Sequence, residues 1–223
     1  MTSINIDTQD LMSLIKDRRS VRIFNGDKLT EEMILRFIEA AIWAPTGCNN
    51  QELRFLILEK EDEIKGILPF KPFLKRASAV VLVFCDMSLP MSRKIYVENK
   101  GERHLCYIDT GLALANMIIY AKSRGVDSCI FNVSEYHLQM NKNKRNYFQR
   151  LVDILKSKFG LHKYIEGNFE FYLRNQLRIP GHLKVMCGVA FGYAKKYPDV
   201  RKEIHGGRQV MRDNKEKYVI KIH

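Results

Sequence analysis

The chain reads as a single domain of interleaved helices and strands, on three observations. Its 223 residues fall within the roughly 200–250 that one domain routinely reaches. Apolar residues make up 46% and charged residues 28%, near the globular averages of about 45–50% and about 25%. A largely disordered chain is thereby excluded, and this length buries about 70–75% of the unfolded surface with no need of a disulfide or metal staple. Apolar positions also switch along the chain between helical spacing and strand-length runs.

The elements follow in order. Gln9 to about Arg18 is a short helix with Leu11, Leu14 and Ile15 on one face. Thr30 suits an N-cap, Glu31 and Glu32 suit the positive end of a helix dipole, and Met33, Ile34, Phe37, Ile38, Ala41 and Ile42 recur at helical spacing until Pro45. Leu53–Leu58 reads as a strand, Glu61–Ile67 as a helix and Ala79–Cys85 as a buried strand. Residues about 103–124 form the longest helix, with Leu105, Ile108, Leu112, Ala115 and Ile119 in its stripe and Gly125 closing it. Val126–Val133 and Lys184–Phe191 are further strands. The stretch at about 137–176 differs: polar at first, then two candidate helices near 147–159 and 169–177. Some forty residues make a poor independent core, so it reads as a helical insertion on the single domain 1–223.

The formal charge is +12, and residues 137–176 and 194–223 each carry a net +5. That balance invites an anionic ligand or nucleic acid. The insert interleaves aromatic and basic residues, a pattern that stacks and holds bases, yet no helix-turn-helix, RRM or zinc-finger pattern accompanies it. Its rings, including Phe148 and Tyr172, have packing onto the core as their simpler use. No apolar run approaches the roughly 18 residues of a membrane span, and Asp7 and Asp10 precede any hydrophobic stretch, unlike a signal peptide. Five widely spaced cysteines lack C-x-x-C spacing; Cys85, Cys129 and Cys187 read as buried small hydrophobes, and a reducing cytoplasm fits. The six histidines lack metal-ligand spacing, and G-x-G-x-x-G, P-loop, H-E-x-x-H and G-x-S-x-G motifs are absent, so no metal site and no activated nucleophile is expected. Any reactive atoms would then belong to a cofactor.

Two strings carry candidate chemistry. In Arg18-Arg19-Ser20-Val21-Arg22, an extended backbone projects Arg18, Ser20 and Arg22 to one side, giving two guanidinium forks and a hydroxyl suited to a phosphate or another flat oxyanion; a solvated basic helix end is the plainer alternative. In Pro45-Thr46-Gly47-Cys48-Asn49-Asn50-Gln51, the amides offer donors and acceptors that match the edge of a pyrimidine-dione ring, and equally suit a polar loop of Asn-driven turns.

Together these strings resemble the nitroreductase family of FMN-dependent oxidoreductases: Arg-Arg-Ser-Val-Arg-x-Phe from Arg18, then Ala-Ala-x-x-Ala-Pro-Thr-x-x-Asn-x-Gln ending at Gln51. Asp109-Thr110-Gly111, Gly125-Val126-Asp127-Ser128-Cys129, Gly188 to Tyr193 and Arg201-Lys202 follow in the family's order. The resemblance implies an α+β, nitroreductase-like fold, with a central mixed, mostly antiparallel sheet flanked by helices, and a homodimer with FMN at the subunit interface. Arg18, Arg19, Ser20 and Arg22 would bind the FMN phosphate, ribityl chain and N1–O2 edge, and Arg201 with Lys202 would complete the phosphate site. Pro45, Thr46, Gly47, Asn49 and Gln51 would come from the other subunit, and backbone at Ile130, Phe131 and Asn132 would approach N5. The chain departs from the family where Thr46-Gly47 replaces Ser-Ser and Gln51-Glu52-Leu53 replaces Gln-Pro-Trp. The implied activity is ping-pong hydride transfer from NADH or NADPH through flavin N5 to a nitroaromatic, quinone or enone. The alternatives are an FMN-binding module with little turnover on free NAD(P)H and, behind it, a nucleic-acid binder.

Overall fold

The computed structural model describes residues 8–68, 71–89, 104–133, 172–198, 204–205 and 208–209. The expected order of elements is present. Helix α1 spans Thr8–Asp17, strand β1 Ile23–Phe24 and helix α2 Glu31–Ile42. Strand β2 spans Leu53–Leu58, helix α3 Glu61–Ile67 and strand β3 Ala79–Asp86. Helix α4 spans His104–Ser123, strand β4 Asp127–Phe131, β5 Leu183–Gly192 and β6 Ala194–Lys196. Two short strands, β7 at Ile204–His205 and β8 at Arg208–Gln209, pair with each other.

The central sheet has the order β2-β3-β5-β4 and every pairing in it is antiparallel. A parallel bridge between Ser20 and Ser128 adds the mixed character. The α+β expectation is borne out. All eight residues of β3 are buried. Val81 and Val83 face one core with Ile34, Phe37, Met117 and Phe191 from α2, α4 and β5. Val80, Leu82 and Phe84 face a second core with Phe24, Ile67, Leu74, Phe131 and Leu173. The period of two that alternates side chains across a strand therefore feeds two cores at once.

Local signals act as read. Thr30 Oγ1 accepts from the Met33 amide at 3.3 Å, and Gly125 takes a left-handed φ of +73° after α4. Of the insertion only the segment Tyr172–Gln176 is described, as one π-helical turn. Tyr172 is buried, and its hydroxyl donates to the Glu63 carbonyl at 2.8 Å. Its ring abuts Gly66, where a Cβ would stand 2.3 Å from Tyr172 Cε2, so this aromatic packs on α3 as the simpler reading expects. The candidate helix near 147–159 lies outside the described residues. Cys129 and Cys187 are buried thiols as expected, and burial pushes Cys187 up to about 12. Cys85 departs from the expectation: it is buried but joined to Cys106 in a disulfide, a pairing that the separation of 21 residues hides until β3 and α4 are brought together. Among the described residues no helix is long and apolar enough to cross a membrane.

Buried Asp127 locks the end of the sheet. It accepts from Lys122 Nζ at 3.1 Å, from the Ala194 amide at 3.1 Å and from the Tyr197 hydroxyl at 2.8 Å. Asp127→Ala leaves a partly buried ammonium and a backbone amide without this acceptor. A loss of about 3 kcal/mol in unfolding free energy is expected from chemical denaturation; a loss under about 1 kcal/mol would show that the anchor carries little.

Candidate functional site

The segment 18–22 emerges from the C-terminus of α1 and runs along the start of β4. Ser20 bridges Ser128, and the Val21 amide donates to the Ser128 carbonyl at 3.0 Å. Val21 is fully buried while Arg22 is exposed, which fixes the alternation of faces. Arg19 donates through Nη1 to the carbonyls of Lys16 and, at 2.9 Å, Arg18, so it closes the end of α1. Arg18 and Arg22 both lie near Cys129. Burial pushes that thiol above its ordinary value against the downward pull of Arg22, Arg18 and Lys71.

Lys71 is the functional candidate that sequence reasoning missed. It is half-buried, and burial pushes its ammonium below the ordinary lysine range. Its signal in the sequence was a lysine set within Phe70-Lys71-Pro72-Phe73, an apolar stretch where a solvated lysine has no reason to stand. Arg18, Arg22 and Lys71 thus all act electrostatically on Cys129 in β4, where the next residue, Ile130, is exposed, while Phe131 turns inward onto Phe73 at a ring separation of 5.7 Å. Such a set suits a phosphate or an oxyanion flanked by an apolar surface. The donor chemistry fits FMN. Asn132 is exposed at the end of this strand. Arg201 and Lys202 lie outside the described residues.

The second half is the turn after α2. Pro45 leads into a 3-10 turn at Gly47–Asn49, in which Cys48, Asn49 and then Gln51 take left-handed φ values of 55°, 54° and 50°. Non-glycine residues rarely adopt this region, and three within four positions need external support. Thr46 Oγ1 accepts from the Gln51 amide at 3.1 Å, and Gln51 Nε2 donates to Asn49 Oδ1 at 3.0 Å. Asp109, buried in α4, accepts the Gly47 amide on both carboxylate oxygens at 3.1 and 3.0 Å. Gly47 packs closely here, since a Cβ would sit 2.8 Å from Leu105 Cδ1 and that side chain would have to shift. Beneath the turn Glu52 is 1% exposed. Burial first, and then Asp109 beside it, holds its carboxyl above the ordinary 4.5. The structure thus brings Arg18, Ser20 and Arg22 to β4, and Thr46, Gly47, Asn49 and Gln51 to the N-terminal turns of α4.

With this geometry the chain resembles known proteins. Residues 15–77 match the model described as the nitroreductase family. A Methanothermobacter thermautotrophicus protein provisionally named NADH dehydrogenase/NAD(P)H nitroreductase is 25% identical over 124 residues, covering 54% of this chain and 60% of that protein. The iodotyrosine deiodinase of Thermotoga neapolitana is 32% identical over 112 residues, covering 38% of this chain and 60% of its own. The chain thus spans about three fifths of the length of each of these curated relatives. Among solved structures, an FMN-dependent nitroreductase from Clostridium difficile R20291 superposes with a TM-score of 0.59 at 17% identity, covering 87% of this chain and 98% of that one. The resemblance read from the sequence is borne out, and the fold is that of the nitroreductases.

Two outcomes follow from the buried charges. Glu52 binds its proton more tightly folded than unfolded, so its contribution to stability is full below pH 4.5 and is lost as pH rises through the folded value. Glu52→Gln, which cannot titrate, is expected to gain on the wild type as pH rises from 4 to 8 in denaturation series; parallel curves would refute the assignment. Lys71→Met removes a half-buried ammonium and is expected to raise the thermal midpoint in phosphate-free buffer, whereas a lowered midpoint would show that Lys71 is paired within the fold.

Proposed function

We propose, on the premise of a nitroreductase-fold chain with that family's signature at residues 15–77, that the protein is an FMN-dependent oxidoreductase. It would move hydride from NADH or NADPH to a small organic acceptor (a nitroaromatic, quinone or enone) in ping-pong fashion, in the cytoplasm. The observation that carries this reading is the docking of segment 18–22 on β4 through Ser20 and Val21 at Ser128, with Arg18, Arg22 and Lys71 all acting on Cys129 of that strand.

Arg18, Ser20 and Arg22 would hold the FMN phosphate, ribityl chain and N1–O2 edge. Lys71 adds a cation whose desolvation an anion would relieve. Arg19, which also fixes the end of α1, would join them, and Arg201 and Lys202 would complete the phosphate site. When bound, FMN supplies hydride acceptance and release at its N5, which no side chain of this protein can supply. The backbone of Ile130–Asn132 would border that atom. Exposed Ile130 offers an apolar wall against which donor and acceptor rings could rest in turn. Cationic groups near the N1–O2 edge favour the negative charge that reduction brings, so the chain's own electrostatics set the ease of electron transfer.

Pro45, Thr46, Gly47, Asn49 and Gln51 would reach the cofactor from the second subunit of a homodimer. Support for that assembly is the exposed apolar surface of α1, α2 and α4: Leu11, Met12 and Ile15, then Ile42 and Trp43, then Tyr107, Ile108 and Leu112, with Trp43 79% exposed. The whole chain would form one domain, with 137–176 inserted in it.

The test is the visible spectrum of the purified protein. Release of about one FMN per chain on denaturation, with anaerobic bleaching by NADH or NADPH, is expected. FMN without bleaching would instead identify a binding module, and a colourless protein that takes up no FMN would overturn the reading. Arg22→Ala is expected to weaken FMN at least about tenfold in fluorescence titration, the scale of one charged hydrogen bond.

A further inference from the structure

Beside the proposed cofactor site lies a buried cluster with no part in it. Glu52 stands just before β2; its carbonyl accepts the Asp86 amide at 2.8 Å, and the next residue, Leu53, pairs with Cys85. Cys85, at the end of β3, is joined by the disulfide to Cys106 in the first turn of α4. Both sulfurs and a carboxylate oxygen of Glu52 lie within 4.8 Å of one another, and the three residues are 1%, 0% and 3% exposed. Glu52 Oε2 is buried without a hydrogen-bond partner. A stranded buried oxygen is rare and costs about 1–3 kcal/mol, so it calls for a physical account. A disulfide has no hydrogen to offer it. A thiol on either cysteine does, and its sulfur stands within 4.8 Å of a carboxylate oxygen of Glu52.

We infer that Cys85, Cys106 and Glu52 form a reversible thiol–disulfide site in which Glu52 gives and takes the proton at sulfur. The reductant is a small-molecule dithiol, which needs a smaller opening at the first turn of α4 to reach the buried sulfurs than the active site of another protein would. One thiolate of the dithiol attacks one sulfur, forming a mixed disulfide; the S–S bond breaks, and the departing cysteine thiolate takes the proton of the Glu52 carboxyl. The second thiol of the reagent then displaces the first cysteine, leaving as a cyclic disulfide. Two electrons and two hydrogens pass from the dithiol to the cysteines, and the Glu52 carboxylate recovers a proton from those the reagent releases. Burial raises the Glu52 carboxyl, as does Asp109 of α4 facing it, against the pull of Asn50, which is in keeping with a proton donor in this role.

The tie also bears on the neighbouring turn. Leu105 and Asp109, on either side of Cys106, touch and hold Gly47. Reduction frees the first turn of α4 from β3, so the Gly47 amide should exchange faster in the reduced protein, whether or not FMN binds.

The experiment uses the full chain and dithiothreitol. After treatment with oxidised glutathione, peptide mapping is expected to show Cys85 joined to Cys106. The reduction rate, expressed per dithiothreitol thiolate, should fall as pH rises through the titration of Glu52. Glu52→Gln should be slower on the order of tenfold at low pH and show a flat profile. Failure to form the joined peptide, or the same pH profile in both proteins, overturns the proposal. So does one zinc ion per chain held by the reduced protein and lost in Cys85→Ser, which would make the cluster a metal site. Should Glu52→Gln fail to fold, Asp109→Asn takes its place: a flat wild-type profile, or a profile that goes flat in Asp109→Asn, overturns the proposal.

Discussion

The described elements of this molecule are arranged around a strand with water on neither side. Because β3 is buried along its whole length, each of its residues must satisfy packing above or below, and its backbone must pair on both edges. That requirement sets β2 and β5 beside it, and it orders the two cores that α2 and α4 cover on one face and α3 on the other. The functional segments attach only afterwards, where this frame ends: 18–22 against β4, the 46–51 turn at the start of β2.

A second constraint is electrostatic. The buried acids are used as braces. Asp127 gathers an ammonium, an amide and a phenol at the β4–β6 corner, while Asp109 holds one backbone amide with both oxygens. Asp86 is held below the ordinary carboxyl range first by the Ser88 hydroxyl and then by the Ser88 amide, with Arg54 at 3.3 Å. Asp127 and Asp86 sit where a strand begins or ends, and Asp109 reaches from α4 to the turn at Gly47; these are places where backbone groups lack ladder partners and an anion can supply the acceptor. Glu52 is the exception, since part of its carboxyl has nothing to brace.

Much of this was legible in the sequence, for reasons tied to particular residues. The run Ala79–Cys85 could only be a doubly buried strand, and Thr30 and Gly125 marked helix ends by local chemistry that needs no tertiary knowledge. Arg18, Ser20 and Arg22 could be grouped because alternation is local too. Lys71 could not, because it reaches Cys129 from an element 58 residues away in the chain, and only the closed sheet shows the approach. The Cys85–Cys106 pair was hidden in the same way. Glu52 was visible as a departure from the family pattern, but its charge pointed to the surface; its burial follows from the turn above it, whose left-handed residues no propensity scale foretells.

That turn has a consequence for how the sequence can drift. Left-handed backbone at Cys48, Asn49 and Gln51 admits glycine and asparagine readily and β-branched residues poorly, while a side chain at Gly47 would have to displace that of Leu105. Neutral substitution is therefore confined to a narrow alphabet along this stretch, whatever its chemistry. Divergence in what the protein acts upon would have to accumulate elsewhere, in segments that carry no such backbone restriction.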